Sequence, residues 1–65
     1  MHLYTFYPMR ADGASTVFET HELVDDAAAL ARARRVLRDH ASAAEIAIWQ
    51  GERKVDVLSR ASDVA

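Results

Sequence analysis

Histidines and carboxylates are the residues of this chain that could bind a metal ion. His2, His21 and His40 could share an ion with Glu22 or Asp39 if the fold gathered them, because imidazole and carboxylate groups are common metal ligands. No two of these histidines have the close spacing of a helical or turn-based ligand motif. The chain also has no cysteine, which excludes thiolate ligands. We therefore expect scattered surface histidines, no metal site and no cofactor.

Groups that could carry out catalysis are equally sparse. The absence of cysteine excludes a thiol nucleophile, and the serines lie in turn or tail segments without the surroundings of a nucleophile elbow. The pairs Glu19/Glu22 and Asp25/Asp26 could act as acid and base only in a cleft where burial shifts one pKa. A chain of 65 residues has little volume for such a cleft unless two subunits form it. The sequence therefore predicts a protein that is not an enzyme.

Arginines form the one conspicuous charge cluster. Arg32, Arg34, Arg35 and Arg38 are half of the eight basic residues, and such a helix face could bind a phosphate backbone. The net charge of -2 and the lack of a glycine-rich phosphate loop argue against nucleic acid as the partner. We expect a solvated helix face, with polyanion binding through Arg32, Arg35 and Arg38 as the alternative function.

Length and composition set the class of protein. The chain of 65 residues is enough for one domain, 1–65, and its last residues, 61–65, are expected to form a frayed tail. The N-terminus does not resemble a signal peptide, and the longest apolar run, Ala27 to Ala31, is far shorter than the about 18 residues of a membrane span. These features predict a cytoplasmic protein with no membrane partner. Small domains without disulfides often need another source of stability. Self-association is the leading candidate for that source in this chain.

Two strands are predicted in the first third of the chain. Residues His2 to Tyr7 are aromatic and β-prone, and Pro8 is expected to end the strand because proline cannot donate to a ladder. Asp12-Gly13 is a hairpin-turn signal. A second strand is predicted from Ser15 to Leu23, centred on Val17 and Phe18. The register of this hairpin stays open.

One amphipathic helix follows. Asp25-Asp26 can cap the free amide groups at its start, and the alanine, leucine and arginine content from Ala27 to His40 favours a helix. At about 100° per residue, three apolar residues fall on one narrow stripe, with two more at its margins. The stripe residues are Leu30, Ala33 and Leu37, and the marginal ones are Val36 and Ala41. Arg32, Arg35, Arg38 and Asp39 lie on the opposite side.

The last part of the chain predicts a second hairpin. Ala44 to Trp49 and Arg53 to Leu58 alternate with a strand's period of two, and Gln50-Gly51 lies in the turn. A two-residue loop would pair Ile46 with Val55, and a four-residue loop would pair Ile48 with Val55. Either loop puts Ile46, Ile48, Val55 and Val57 on one face.

The order strand, strand, helix, strand, strand predicts an α+β fold of ββαββ type. Its four-stranded sheet would be mainly antiparallel, with the helix on one face beside Tyr4, Phe6 and Phe18. This plan resembles a family of small uncharacterised bacterial domains of unknown function. The segments that carry the resemblance are Leu3-Tyr4-Thr5-Phe6-Tyr7, Asp12-Gly13, Asp25-Asp26-Ala27-Ala28 and Ile48-Trp49-Gln50-Gly51. The family implies no activity for this chain.

The sheet face without a helix is the candidate interaction site. If Ile46 and Ile48 point to the helix, Trp49, Ala47 and Leu58 point away from it, and Tyr7, or alternatively Tyr4, extends the patch. The sequence therefore predicts a protein-interaction module that forms a homodimer or binds another protein through this face or through an edge strand. The competing interpretation is that the Trp49 side chain folds against the tail around Val64 or the loop near Met9.

Overall fold

The computed structural model describes residues 1–13, 15 and 17–60. Its elements are β1 (His2–Met9), β2 (Glu19–Leu23), α1 (Asp26–Asp39), β3 (Glu45–Gln50) and β4 (Arg53–Ser59). All strand pairs are antiparallel, the order across the sheet is β2-β1-β3-β4, and α1 packs on one face. The predicted α+β fold of ββαββ type is therefore confirmed. The predicted frayed tail, 61–65, lies outside the described residues.

Strand β1 runs two residues beyond the predicted end at Tyr7 and includes Pro8. Its pairing with β2 ends at Phe6, whereas its pairing with β3 continues to Met9. Pro8 therefore lies where β1 has a partner strand on one side only. A strand tolerates proline in such an edge-like position because no ladder there requires its missing N–H group. Pro8 is buried opposite Ile46.

Strand β2 is shorter than predicted and begins at Glu19 instead of Ser15. Val17 and Phe18 precede it, and the Phe18 side chain is 63% exposed, so its predicted place in the core is wrong. The last residue pair between β1 and β2 is Phe6 with Glu19. Aromatic and β-branched residues favour a strand only where a partner surface receives them, and Val17 and Phe18 lie beyond that pairing.

Two glycine turns connect the strands as their sequences predict. Gly13 has a φ of +86° and donates its N–H to the Arg10 carbonyl at 2.9 Å, which closes the first turn. Gly51 has a φ of +60° in the short connection between Gln50 and Arg53. Glycine suits both positions because a positive φ brings a Cβ atom too close to the backbone.

The helix begins and ends one residue earlier than predicted. Asp25 is its N-cap, and the Asp25 carboxylate accepts a hydrogen bond from the Ala28 N–H at 2.9 Å. The C-cap is His40, whose backbone N–H donates to the Val36 carbonyl. The aspartate pair thus starts the helix by satisfying an amide group that has no partner within the helix.

The buried stripe of α1 is rotated relative to the predicted one. Leu30, predicted in the stripe, is only partly buried, and Ala41, predicted at its margin, is exposed. Small side chains at Ala29 and Ala33 let the helix lie close to the sheet, which leaves the larger Leu30 at the margin. The buried residues of the helix are Ala29, Ala33, Val36 and Leu37.

A β-bulge interrupts the hairpin of β3 and β4. Trp49 pairs with Lys54, but the next residue, Ile48, pairs with Asp56, so Val55 is an extra residue on β4. Two residues of one strand then oppose a single residue of the other. The predicted register that pairs Ile48 with Val55 therefore holds only beside the turn, for Gln50 with Arg53 and Trp49 with Lys54, and ends at the bulge. The register that pairs Ile46 with Val55 is wrong.

The bulge exchanges the faces of the residues that follow it. Leu58 pairs with Ile46 on the helix side and is 5% exposed, whereas Val57 pairs with Ala47 on the other side. The predicted positions of Val57 in the core and of Leu58 on the uncovered face are both wrong. The reason is that one inserted residue reverses the alternation of side chains along the rest of a strand.

The core lies between the helix and the covered face of the sheet. Its fully buried large side chains are Tyr4, Phe6, Leu37, Ile46 and Ile48. Tyr4 and Phe6 therefore occupy the predicted core positions. Among the described residues, no helix has the length and apolar character that crossing a membrane requires.

Candidate functional site

The candidate site is the face of the sheet opposite α1, here called the outer face. Its central residue pairs are Thr5 with Trp49 and Tyr7 with Ala47, on the two middle strands. Alternation along the strands and the bulge place the other members. The outer face comprises Leu3, Thr5, Tyr7, Met9, Thr20, Glu22, Glu45, Ala47, Trp49, Lys54, Val57 and Ser59.

A groove crosses the outer face above Ala47. It measures about 570 Å³, is open to solvent, and has Tyr7, Met9 and Trp49 in its lining. Ala47 is only 5% exposed because larger neighbours flank its methyl group. Trp49 is partly buried and shares the groove with Met9. Val64, the other predicted neighbour of Trp49, lies outside the described residues.

Two aromatic rings stand beside this groove. The rings of Tyr7 and Phe18 lie 5.9 Å apart at an angle of 40°, within the usual range of aromatic contacts. Tyr7 is 36% exposed and Phe18 is 63% exposed. Phe18 thus extends the apolar surface from the loop before β2. Sequence reasoning missed this residue because it assigned Phe18 to a strand and to the core.

Of the predicted interaction residues, the structure brings three together. Trp49, Ala47 and Tyr7 lie on the outer face and line one groove. Leu58 does not belong to it, because the bulge turns Leu58 into the core. Tyr4, the alternative to Tyr7, is also a core residue.

The two edge strands are poorly suited to pairing with another sheet. Strand β2 has five residues, and β4 contains the bulge and charged side chains. The Asp56 carboxylate also accepts a hydrogen bond from the N–H of Val57 at 2.7 Å, which occupies a backbone donor of β4. Short, charged or bulged edges discourage strand addition. Both edges of the sheet are therefore unfavourable for the addition of another strand.

A polar cluster on the opposite side fastens the start of the helix to the sheet. The Tyr4 hydroxyl donates to Asp26 Oδ1 at 2.7 Å, and the Arg53 guanidinium binds both Asp26 oxygens at 2.9 and 3.2 Å. Sequence reasoning missed this cluster because Asp26 and its partners are 22 and 27 residues apart. Only the tertiary fold brings them together.

The cluster shifts three pKa values in the directions that its hydrogen bonds require. Hydrogen bonds from Arg53 and then Tyr4 lower the pKa of Asp26 by favouring its carboxylate. The hydrogen bond to Asp26, followed by burial, raises the pKa of Tyr4. The hydrogen bond to Asp26 also raises the pKa of Arg53. These shifts favour the charged pair of Asp26 and Arg53, which suits a structural tether.

Two histidines are not scattered, contrary to prediction. His21 Nε2 lies 3.1 Å from one oxygen of Glu19, and His40 Nε2 lies 3.5 Å from the other. This contact joins β2 to the end of α1. No three metal-ligating side chains in the described part of the chain are arranged to hold an ion. Of the two predicted partners, Asp39 lines a groove with His21, whereas Glu22 lies on the outer face.

The end of the helix is bound by an arginine that follows β4. The Arg60 guanidinium donates to the carbonyl of Ala43 at 2.8 Å and to that of His40 at 2.7 Å, and it also contacts the carbonyl of Leu37. The last carbonyl groups of a helix lack partners within the helix and attract cations. Arg60 therefore stabilises the helix end from a distant part of the sequence.

The predicted polyanion-binding residues lie on the exposed side of the helix. Arg32, Arg35 and Arg38 are all exposed. Arg32 and Arg35 line a groove together with Glu19 and Asp39, whose carboxylates reduce the local positive potential. This arrangement is less suited to a phosphate backbone than an uninterrupted basic surface.

Comparisons with models of known protein families, with curated proteins and with solved structures find no match to this chain. The resemblance to small bacterial domains therefore stays a prediction, and the function has to be argued from the geometry of the outer face.

Proposed function

We propose that this protein is a non-catalytic interaction module that binds a second copy of itself through the outer face. The observation that supports this function best is the aromatic surface around the groove, where Tyr7 and Phe18 are exposed and Trp49 is partly buried. The core under the helix lies on the opposite face of the sheet, and of the described loop residues Ser15 and Phe18 lie beside the groove or its aromatic rim. Exposed apolar patches mark association sites, and tryptophan and tyrosine contribute strongly to binding at them.

The size of the domain supports self-association. A chain of this length buries only about 60% of its unfolded surface and has a thin margin of stability. It contains no cysteine, so no disulfide can supplement the core. Covering apolar area on the outer face contributes roughly 25 cal/mol per Å² before the cost of association. Because the proposed partner is the same protein, it is always present at the concentration of the protein itself.

The test uses the same substitution on and off the outer face. Val57 lies on the outer face, whereas Val24 lies in the connection between β2 and α1 and is 65% exposed. We expect Val57→Lys to shift the protein to a monomer and Val24→Lys to leave it associated. Light scattering after size-exclusion chromatography, over about 1 μM to about 1 mM, covers the range of weak interfaces.

The tryptophan provides a second readout. Trp49 is the single tryptophan of the chain and lines the groove. Its emission should shift to shorter wavelength as the concentration of the wild type rises, and Val57→Lys should abolish the shift. A wild type that stays monomeric over the whole range, or equal effects of Val57→Lys and Val24→Lys, would contradict the proposal.

Salt separates this function from the polyanion alternative. Apolar association changes little between low and moderate salt, whereas binding through Arg32, Arg35 and Arg38 would weaken steeply. A duplex DNA probe serves as the polyanion. Binding of this probe that is lost in Arg32→Ala/Arg35→Ala, together with a monomeric wild type, would replace the proposed function with the alternative.

A further inference from the structure

We infer that the connection between β2 and the end of α1 is pH-dependent, because His40 can bind Glu19 only when its imidazole ring is protonated. The connection, here called the β2–α1 contact, joins the first residue of β2 to the C-cap of the helix. Glu19 pairs with the core residue Phe6, so the contact lies on the covered side of the sheet. It is therefore independent of self-association through the outer face.

The hydrogen bond of His40 Nδ1 fixes the position of one ring hydrogen. This atom lies 2.8 Å from the carbonyl oxygen of Val36. A carbonyl oxygen can only accept, so Nδ1 carries the hydrogen and donates it. In a neutral ring the other nitrogen, Nε2, then has a lone pair and no hydrogen. A neutral His40 in this position has no donor left for Glu19.

The free nitrogen of this ring faces a carboxylate. His40 Nε2 lies 3.5 Å from Glu19 Oε2. An ionised carboxylate is also only an acceptor, so two acceptors face each other when the ring is neutral. Protonation places a hydrogen on Nε2 and converts this arrangement into a charge-assisted hydrogen bond. The side chains of His40 and Glu19 are 36% and 35% exposed, so solvent screens the pair and its effect on stability is modest.

The second histidine at Glu19 needs no extra proton. His21 Nε2 lies 3.1 Å from Glu19 Oε1, and its Nδ1 lies 3.4 Å from Nη1 of Arg32, which can only donate. A neutral His21 with its hydrogen on Nε2 therefore satisfies both neighbours. The Phe6 ring at 5.1 Å and the Arg32 guanidinium both disfavour a positive charge on this imidazole. Protonation of His40, and not of His21, is thus the pH-dependent step.

The other charges around the contact have both signs. The end of a helix favours a cation, and Asp39, next to His40, adds a negative charge. Arg60 opposes them, because its guanidinium donates to the His40 carbonyl at 2.7 Å. The remaining charged groups that line the groove beside Glu19 are Arg32 and Arg35. Since these charges partly cancel, the hydrogen bond to Glu19 decides the sign of the effect.

The first test compares thermal stability at pH 8 and pH 5.5. This interval spans the ordinary titration of histidine and stays above that of carboxylates. A folded state that binds an additional proton is stabilised as the pH falls, and this stabilisation is lost as the pH rises. The Tm difference between the wild type and His40→Gln should therefore be larger at pH 5.5 than at pH 8, by about 2–6 °C.

The matched control is His21→Gln, the same substitution on the other side of Glu19. Its Tm difference from the wild type should not grow as the pH falls, because a neutral His21 takes up no proton on folding. In a Glu19→Gln background, the effect of His40→Gln should become independent of pH. His2 is present in every variant, so its titration cancels in these differences. A difference for His40→Gln that does not grow, or that His21→Gln matches, overturns the inference.

The second test needs no variant. Long-range ¹H–¹⁵N correlation spectra of the folded wild type report which ring nitrogens carry hydrogen. At pH 8 we expect hydrogen on Nδ1 of His40 and on Nε2 of His21, and His40 should gain a second hydrogen, on Nε2, as the pH falls to 5.5. A neutral His40 with its hydrogen on Nε2 could bind Glu19 at any pH, and this result would overturn the inference.

Discussion

The bulge in β4 makes a quantitative prediction about two neighbouring residues. Leu58 is 5% exposed in the core, whereas Val57 lies on the outer face and is partly buried. Truncating a buried leucine to alanine costs about 2–5 kcal/mol, from lost burial and the cavity left behind. We expect about 3 kcal/mol for Leu58→Ala, and below about 1 kcal/mol for Val57→Ala.

These free energies correspond to large differences in thermal stability. A domain of this size loses about 4–8 °C in Tm per kcal/mol, so Leu58→Ala should lower Tm by about 12–24 °C. The total stability expected for 65 residues is about 3–10 kcal/mol, and Leu58→Ala could exceed it. Leu58→Val, with an expected cost of about 1 kcal/mol, provides the milder comparison in that case.

The assay is urea unfolding followed by circular dichroism. The protein concentration should be low, because association stabilises the folded state by mass action and Val57 lies in the proposed interface. An uninterrupted register would put Val57 in the core and Leu58 outside it, and the two costs would be reversed. A larger loss from Val57→Ala than from Leu58→Ala would therefore refute the bulge.

Three further predictions concern the helix ends. Arg60→Met removes hydrogen bonds to the carbonyl groups of His40, at the end of α1, and of Ala43, just after it, and should cost about 2–4 kcal/mol in urea unfolding. Arg38→Met, on the exposed side, should cost below about 0.5 kcal/mol, and equal costs would contradict the stabilising role of Arg60. Asp25→Ala should cost about 1 kcal/mol by removing the N-cap, and Asp25→Asn should restore most of it; no difference between these variants would argue against capping. In the folded protein the pKa of Asp26 lies below its ordinary value of 3.8. The charged Asp26 side chain therefore stabilises the fold fully above pH 3.8, and this stabilisation is lost as the pH falls through the folded-state pKa. Thermal melts should show a Tm difference between the wild type and Asp26→Asn that is constant near neutral pH and shrinks at acidic pH; a difference independent of pH down to pH 2 would contradict the ion pair.

Local signals predicted the elements well where each element depends on its own residues. The helix, its aspartate cap and both glycine turns follow from neighbouring positions, because capping and positive φ angles are local requirements. Pro8 and Phe18 show the limit of such signals. Whether a strand tolerates a proline or retains an aromatic residue depends on where its partner strand ends, and this is a property of the whole sheet.

The candidate site was predictable in part. Alternation placed Trp49 and Ala47 on the uncovered face correctly because β3 pairs with β1 without interruption. Alternation failed for Leu58, because the extra residue in β4 moves every later side chain of that strand to the opposite face of the sheet. A bulge leaves little trace in a sequence whose apolar residues, Val55, Val57 and Leu58, permit either alternation.

By itself the sequence determined the ββαββ order, the start of the helix and the need for one sheet face without a helix. These depend on local propensity, capping and the presence of a single amphipathic helix. Only the tertiary structure decided the strand order, the face of Leu58 and the partners of Asp26, Glu19 and Arg60. Each of these depends on contacts between residues far apart in the chain, and such contacts form only when the whole sheet and the helix are assembled.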